Sequence, residues 1–171
     1  MHWRDQTVRV CQAVTLACVL TCCSRPKPED DPPVVLETVT DEAHSYTIAV
    51  PKGSTAGAAI KESDGTTHHG YVGRFLVHVT VRPAGGVLVY PDSLDAAVRQ
   101  TEALLPGSQR PIENSEIGPG AYLLVMEPSR TDQEVVVWRP GKKQSAFVRC
   151  AGYKKHLPRM KEACLSLIVG Q

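Results

Sequence analysis

The stretch Arg74-Phe75-Leu76-Val77-His78-Val79-Thr80-Val81-Arg82 alternates apolar and polar residues over most of its length. Successive side chains of a β-strand point to opposite faces of a sheet, so this pattern predicts a half-buried strand. We expect its buried face to carry Phe75, Val77, Val79 and Val81. We expect its polar face to carry Arg74, His78, Thr80 and Arg82, with His78 exposed to solvent.

The same alternation marks an earlier strand at residues 45–50, which the Pro51-Lys52-Gly53 turn ends. We interpret residues 54–70, which are rich in Gly, Ala, Ser and Thr, as a loop. The clearest helix spans residues 92–105, because apolar residues recur there every three or four positions and Pro106-Gly107 follows. Its apolar face carries Leu94, Ala97, Val98, Thr101, Leu104 and Leu105.

A second helix is predicted at residues 158–168, where Leu157, Met160, Cys164, Leu167 and Ile168 share one face. Short strands are predicted at 87–90, 112–117, 121–127, 134–138 and 145–150. Short strands joined by tight turns form antiparallel sheets, and helices that cover such a sheet give an α+β fold. We therefore expect one domain, at residues 41–171, with a sheet of five to six strands flanked by two helices.

Three segments resemble the PsbP-like family, which includes the DcrB-type bacterial lipoproteins. They are Tyr46-Thr47-Ile48-Ala49-Val50-Pro51-Lys52-Gly53, Ser93-Leu94-Asp95, and the closing Lys161-Glu162-Ala163-Cys164-Leu165-Ser166-Leu167. The resemblance covers roughly residues 44–169 and implies an α/β/α sandwich. Because members of that family act mostly as non-catalytic assembly or accessory factors, it implies a binding function and supplies no catalytic residue.

The N-terminal segment has the features of an export signal. Arg4 and Arg9 precede an apolar run at residues 10–20, which is about half the ~20 residues needed to cross a bilayer. Leu20-Thr21-Cys22-Cys23 then resembles the lipobox of bacterial lipoproteins, in which Leu stands three residues before the modified Cys. The resemblance implies a signal peptide at residues 1–22, lipidation of Cys23, and a Pro-rich tether at residues 23–40.

Several alternatives to this lipidation site remain open. Cys22 stands where lipoboxes usually carry Gly or Ala, and Cys22 itself is the second candidate for lipidation. The leader could instead be a Cys-rich secretory signal or the apolar start of a cytosolic chain. If Cys23 is modified, Ser24 in the next position implies the outer membrane, with the domain facing the periplasm of the cell envelope.

Cys150 and Cys164 are the two cysteines that remain after such processing. An oxidising compartment favours a disulfide between them, and the closed loop of about 15 residues would contribute about 3 kcal/mol. Two buried free thiols are the alternative. The pair has no Cys-x-x-Cys spacing, so a redox-active site is not indicated.

Charge is unevenly distributed, although the formal net charge is only +1 and gives no footprint for nucleic-acid binding. Residues 23–133 hold nine basic and fifteen acidic residues, whereas residues 134–171 hold eight basic and two acidic. The basic C-terminal segment is a possible interaction surface for an anionic partner or lipid head groups. Its members are Lys142, Lys143, Arg149, Lys154, Lys155, Arg159 and Lys161. A solvated face that balances acidic strands is the alternative.

No motif predicts catalysis or a cofactor. Adjacent His68 and His69, with Asp64 nearby, lack the spacing of a metal site, and we expect a solvated loop there. Residues 53–57 match neither a nucleophile elbow nor a phosphate loop. The sequence thus favours a non-enzymatic envelope lipoprotein that binds a protein partner and needs no metal or other cofactor. A periplasmic small-ligand binding module is the alternative, and a hydrolytic enzyme is a weaker one.

We predict that radiolabelled palmitate enters the wild-type protein but not the Cys23→Ala variant, because the modified thiol is then absent. The measurement is label recovered with the protein after growth on the labelled fatty acid. Continued labelling of Cys23→Ala would move the lipidation site to Cys22 or elsewhere.

Overall fold

The folded unit begins earlier than the sequence analysis expects. A computed structural model of the protein describes residues 32–84, 90–105 and 111–170. The compact unit begins at Val34, and residues Leu36–Asp41 already form its first strand, β1. A domain boundary at residue 41 is therefore too late, because β1 pairs along its whole length with the next strand. None of the described helices is long and apolar enough to span a membrane.

Within the described residues, eleven strands form two sheets, more than the five or six expected. The smaller sheet has the order β1-β2-β11 and the larger has the order β3-β5-β6-β10-β9-β8-β7, with β4 paired to β5. All the pairings are antiparallel. The remaining strands are β2 (Tyr46–Pro51), β3 (Thr55–Ala56), β4 (Ile60–Lys61), β5 (Thr67–Val72), β6 (Leu76–Pro83), β7 (Glu113–Gly118), β8 (Ala121–Met126), β9 (Asp132–Arg139), β10 (Gln144–Tyr153) and β11 (Ile168–Val169).

The segment expected as a loop at residues 54–70 instead contains β3, β4 and the start of β5. β3 and β4 have two residues each, too few to show an alternating pattern. In β5, Thr67, His69 and Tyr71 are buried, so the alternation is carried by polar side chains and escapes a search for apolar residues.

The larger sheet is buried on both faces. Toward the smaller sheet and helix α2 (Leu157–Leu165) it presents Val77, Val79, Val81, Leu123, Val135, Val137, Ala146, Val148 and Cys150. Toward helix α1 (Leu94–Leu104) it presents Tyr122, Leu124, Met126, Val136, Trp138 and Phe147. Alternation along each strand sends neighbouring residues into the two different cores. The arrangement is α+β, but one outer layer contains the smaller sheet as well as a helix.

Helix α1 forms where the sequence places it. The Ser93 hydroxyl accepts a hydrogen bond of 3.2 Å from the Ala96 amide and caps the helix, as expected for Ser at this position. The buried Trp138 indole donates a 3.0 Å hydrogen bond to the hydroxyl of Thr101, which fixes the helix on the sheet. Leu104 was expected on the apolar face but is exposed at the end of the helix.

The second helix ends at Leu165, three residues earlier than predicted. The Ser166 hydroxyl donates to the Ala163 carbonyl and accepts a 2.7 Å hydrogen bond from the Ala49 amide of β2, which joins the end of the helix to the smaller sheet. Leu167 is buried, whereas Ile168 lies in β11 and is exposed rather than on the helix.

His78 and its neighbours on β6 are less exposed than expected. The four predicted core residues of this strand are buried, but Thr80 and Arg82 are buried too, and His78 is half-buried. The polar face of β6 is covered because His68 stacks on His78, and Arg82 lies 5.6 Å from the Trp138 ring centroid. β6 is therefore largely buried on both faces.

The structure supports the proposed cysteine pair. Cys150 on β10 and Cys164 on α2 form a disulfide with a Cα–Cα distance of 6.2 Å, and both residues are fully buried. The bond attaches α2 to the middle of the larger sheet. Three predicted features lie outside the described residues: the leader, both lipidation candidates and most of the strand predicted at 87–90. Tyr90, the last residue of that predicted strand, is described and is not in a strand.

We predict that reduction of the Cys150–Cys164 disulfide lowers the free energy of unfolding by about 3 kcal/mol, because the unfolded chain regains the entropy of its closed loop. The measurement is denaturant unfolding with and without a reductant. The Cys150→Ala/Cys164→Ala variant is the control and should not respond to the reductant. Two alkylatable thiols at these positions in non-reducing mass spectrometry would contradict the prediction.

Candidate functional site

The two adjacent histidines of β5 point to opposite faces of the larger sheet. His68 forms hydrogen bonds of 3.1 Å with the Glu62 carboxylate and with the Thr80 hydroxyl. His69 is buried on the other face, toward the smaller sheet. Asp64 instead accepts a hydrogen bond from the Thr66 amide in a turn. The segment is a strand rather than a solvated loop, and its alternation separates the two histidine rings.

His69 belongs to a cluster with two residues from the β1–β2 hairpin, Asp41 and His44. The Asp41 Oδ2 atom lies 3.2 Å from Nδ1 of His44 and 3.3 Å from Nδ1 of His69. The ligand atoms that the three residues could offer a metal all lie within 4.8 Å of one another. The two imidazole rings meet edge to face, with centroids 4.5 Å apart. We call these three residues the His–Asp cluster.

Backbone contacts hold the hairpin that carries this cluster. The Asp41 carboxylate accepts a 3.0 Å hydrogen bond from the His44 amide, which closes the turn. Ser45 has a positive φ of 52°, and its carbonyl accepts a 2.6 Å hydrogen bond from the Gly170 amide. A Cβ atom at residue 170 would lie only 2.8 Å from that of Ser45, so this approach requires glycine. Gln144 also donates to the His44 carbonyl.

Two buried tyrosines extend the polar contact between the sheets. The hydroxyls of Tyr46 on β2 and Tyr71 on β5 share a hydrogen bond of 2.7 Å. Burial raises the pKa of Tyr46 far above its ordinary value, and the hydrogen bond with Tyr71 and the nearby Asp41 carboxylate raise it further. Tyr46 is therefore neutral at any physiological pH and acts as a hydrogen-bonding residue.

Within the His–Asp cluster, the pKa of Asp41 and the pKa of His69 both lie below their ordinary values. Desolvation raises the pKa of Asp41, but the hydrogen bonds from His44 and the two histidine rings outweigh it and leave this pKa below its ordinary value. Burial lowers the pKa of His69, and the attraction to Asp41 offsets only part of that shift. The Nε2 atom of His69 has no hydrogen-bond partner among the described residues, so Asp41 orients this ring.

A cavity of about 320 Å³ opens beside the same hairpin. It is lined by Thr40, Asp41, Glu42, Ser45, Tyr46, Thr47, Ile168 and Gly170. Ile168 is 65% exposed, and the acidic residues Asp41 and Glu42 line the same cavity. The cavity is therefore an open surface depression that combines negative charge with an apolar contact. We call it the hairpin cavity.

Four of the seven basic residues singled out in the C-terminal segment form ion pairs within the domain. The pairs are Arg149 with Glu134, Lys154 with Glu127, Arg159 with Glu162, and Lys161 with Glu113. Lys155 is exposed, and Lys142 and Lys143 lie in the turn before β10 without an ion pair to any described residue. Most of this charge thus balances acidic residues of the same fold.

Asp41 and His44 are not among the site residues that the sequence predicts. Their Asp-x-x-His spacing at the end of a strand is a local signal, but its third member lies 25 residues after His44. Only the packing of β1 and β2 against β5 brings His69 to the hairpin.

Solved structures with a similar fold include a cyanobacterial and a yeast protein. The solution structure of cyanobacterial PsbP (CyanoP) from Synechocystis sp. PCC 6803 aligns with a TM-score of 0.52 and 9% sequence identity, over 82% of this chain and 95% of that chain. The crystal structure of the Saccharomyces cerevisiae Ran-binding protein Mog1p aligns with a TM-score of 0.56 and 12% identity, over 80% of this chain and 96% of that chain. The fold is PsbP-like.

The likeness of the PsbP-like domain to these proteins lies in structure rather than sequence. No protein-family model matches the chain. No curated protein sequence matches it significantly. The alignments cover almost all of both solved structures, so the expectation of a PsbP-like domain is confirmed for the fold.

We predict that the PsbP-like domain loses stability as the pH falls below 6.5. Burial lowers the pKa of His78, and the nearby charges of His68 and Arg149 lower it further. The ordinary pKa of histidine, 6.5, applies to the unfolded chain. Between the lowered pKa of the folded protein and pH 6.5, the unfolded chain therefore binds more protons than the folded protein, and the stability present above pH 6.5 is lost on acidification. One such group contributes at most about 1.4 kcal/mol per pH unit.

Denaturant unfolding between pH 8 and pH 5 measures this effect. The free energy of unfolding of His78→Gln should fall less steeply with decreasing pH than that of the wild type. His69 also has a lowered pKa, but it is present in both proteins and so does not contribute to the difference between them. Identical pH slopes in the two proteins would contradict the assignment to His78.

Proposed function

We propose that this protein is a non-enzymatic binding module, tethered to the bacterial cell envelope by a lipid on Cys23, that presents its PsbP-like domain to a protein partner. The observation that carries the proposal is the alignment over 96% of Mog1p, a protein named for binding Ran. A fold can host several functions, so the binding surface has to be argued from the residues of this chain.

The hairpin cavity is the surface that best fits a protein partner. Ile168 projects from a two-residue edge strand, where an apolar side chain gains nothing from the domain's own core. Exposed apolar residues beside polar groups are typical of interaction sites. The neighbouring Asp41 and Glu42 favour a partner segment that places a basic residue next to an apolar one.

Small-ligand binding is the second candidate function. Its support is the cavity volume of about 320 Å³, at the lower end of the range for small-molecule sites. Such sites usually enclose most of their ligand, whereas Thr40, Glu42 and Ile168 are exposed at the rim of this one. We therefore favour a protein partner over a small ligand.

The tether places the domain near the membrane without inserting it. Residues 24–33 contain four prolines and five charged residues, a composition typical of an extended spacer. A spacer of this kind separates the lipidated cysteine from β1 along the chain. We propose the outer membrane, facing the periplasm, as the location.

We predict that Ile168→Asp lowers recovery of the protein partner at least tenfold when the membrane-anchored protein is isolated with a reversible crosslinker. The substitution removes the apolar contact and replaces it with a carboxylate that the partner's apolar residue would have to desolvate. Ile112→Asp is the matched control, because Ile112 is also an exposed isoleucine, 56% against 65%, beside the far edge strand β7. The measurement is quantitative mass spectrometry of the crosslinked proteins.

Equal recovery from the Ile168→Asp and Ile112→Asp proteins would exclude the hairpin cavity as the docking surface. A small molecule that is retained by the wild type and lost from Ile168→Asp would instead support the ligand-binding alternative.

A further inference from the structure

We infer that Asp41, His44 and His69 bind one divalent transition-metal ion of the Zn²⁺ type. The sequence offers only the local Asp41-x-x-His44 spacing toward this site, and the site goes beyond the proposed protein binding. The inference rests on three features of the His–Asp cluster: the spacing of its donor atoms, the identity of those atoms, and the rigidity of the elements that carry them.

The distances between the donor atoms match a metal site. Zn²⁺ binds imidazole nitrogen and carboxylate oxygen at about 2.0–2.2 Å, so neighbouring ligands of a tetrahedral ion lie roughly 3.3–3.5 Å apart. Two of these edges are already close to that length, at 3.2 Å from Asp41 Oδ2 to His44 and 3.3 Å to His69. The third edge, between the two histidines, is at most 4.8 Å. A small rotation of the partly exposed His44 side chain would bring this edge to the tetrahedral length.

The donor set selects among metals. Two imidazole nitrogens with one carboxylate suit Zn²⁺ and its transition-metal neighbours, whereas Ca²⁺ and Mg²⁺ prefer sites made of oxygen ligands. Three protein ligands leave a fourth position for water, as in sites where a metal contacts a further molecule. Asp41 also lines the hairpin cavity.

The backbone that carries the ligands is held before any metal arrives. The Oδ1 atom of Asp41 accepts the His44 amide hydrogen bond and lies 3.1 Å from His44 Nδ1, while Oδ2 lies 3.2 Å from His44 Nδ1 and 3.3 Å from His69 Nδ1. Gln144 and Gly170 hold the hairpin through the carbonyls of His44 and Ser45. His69 lies on β5, which pairs with β6 along its full length. Little conformational freedom is therefore lost on binding.

A purely structural role for the cluster makes a different prediction. Both imidazoles could donate Nδ1–H to the Asp41 carboxylate, in which case the three residues would join the sheets without a metal. The protein would then be equally stable with and without Zn²⁺, and substitutions in the cluster would change stability alone.

The experiment titrates the full-length protein with Zn²⁺ by calorimetry after removal of metals with a chelator. The thiols of the first 23 residues are alkylated beforehand so that cysteine cannot supply ligands. We expect one Zn²⁺ per chain and a thermal midpoint that rises with Zn²⁺ concentration. His44→Gln, at a half-exposed position, and Asp41→Asn, which keeps the acceptor for the turn, should each weaken binding at least tenfold. Co²⁺ should give the visible spectrum of a four-coordinate nitrogen–oxygen site.

His68→Gln is the matched control, because His68 is adjacent to His69 but faces the other side of the sheet. It should bind Zn²⁺ as the wild type does. Absence of binding to the wild type would overturn the inference. So would binding that survives His44→Gln and Asp41→Asn in folded protein, or binding that His68→Gln also removes.

Discussion

The fold depends on the burial of both faces of the larger sheet. Neighbouring residues of β10 illustrate the constraint: Val148 and Cys150 enter the core beneath α2, while Phe147 enters the core beneath α1 and packs against Trp138. Each face needs its own cover, which α1 provides on one side and the smaller sheet with α2 provides on the other. The disulfide from Cys150 attaches that second cover to the middle strand.

Polar residues cluster where the smaller sheet packs against β5 of the larger sheet. Near β9 and β10 the two layers are joined by apolar side chains, but near β5 they are joined by the Tyr46–Tyr71 hydrogen bond and the His–Asp cluster. Buried polar groups are costly unless they are paired, so these contacts specify how the smaller sheet sits on the larger one. The same pairing supplies a preorganised set of donor atoms beside an open cavity.

Most basic residues of the C-terminal segment are paired with acidic residues of the same domain. The basic C-terminal segment looks like an interaction surface in the linear sequence, yet Arg149 forms a bidentate pair with the buried carboxylate of Glu134. Exposed pairs such as Lys154 with Glu127 contribute little to stability, but they neutralise surface charge. The acidic rim of the hairpin cavity is therefore a more distinctive electrostatic feature of this domain than the basic C-terminal segment.

The sequence by itself determined the α+β class, helix α1 and the main strands, because the periodicity of apolar residues is a local property of the chain. It also indicated Cys150 and Cys164 as a pair, because they were the two cysteines remaining outside the leader. Strands of two residues, such as β3 and β11, and the polar strand β5 were missed because they carry no apolar period. Only the tertiary structure decided that His69 joins Asp41 and His44 while His68 faces away, because that depends on the packing of one sheet against another. It also decided that Ile168 is exposed, because the chain leaves α2 at Ser166 to pair with β2 and so turns this side chain outward.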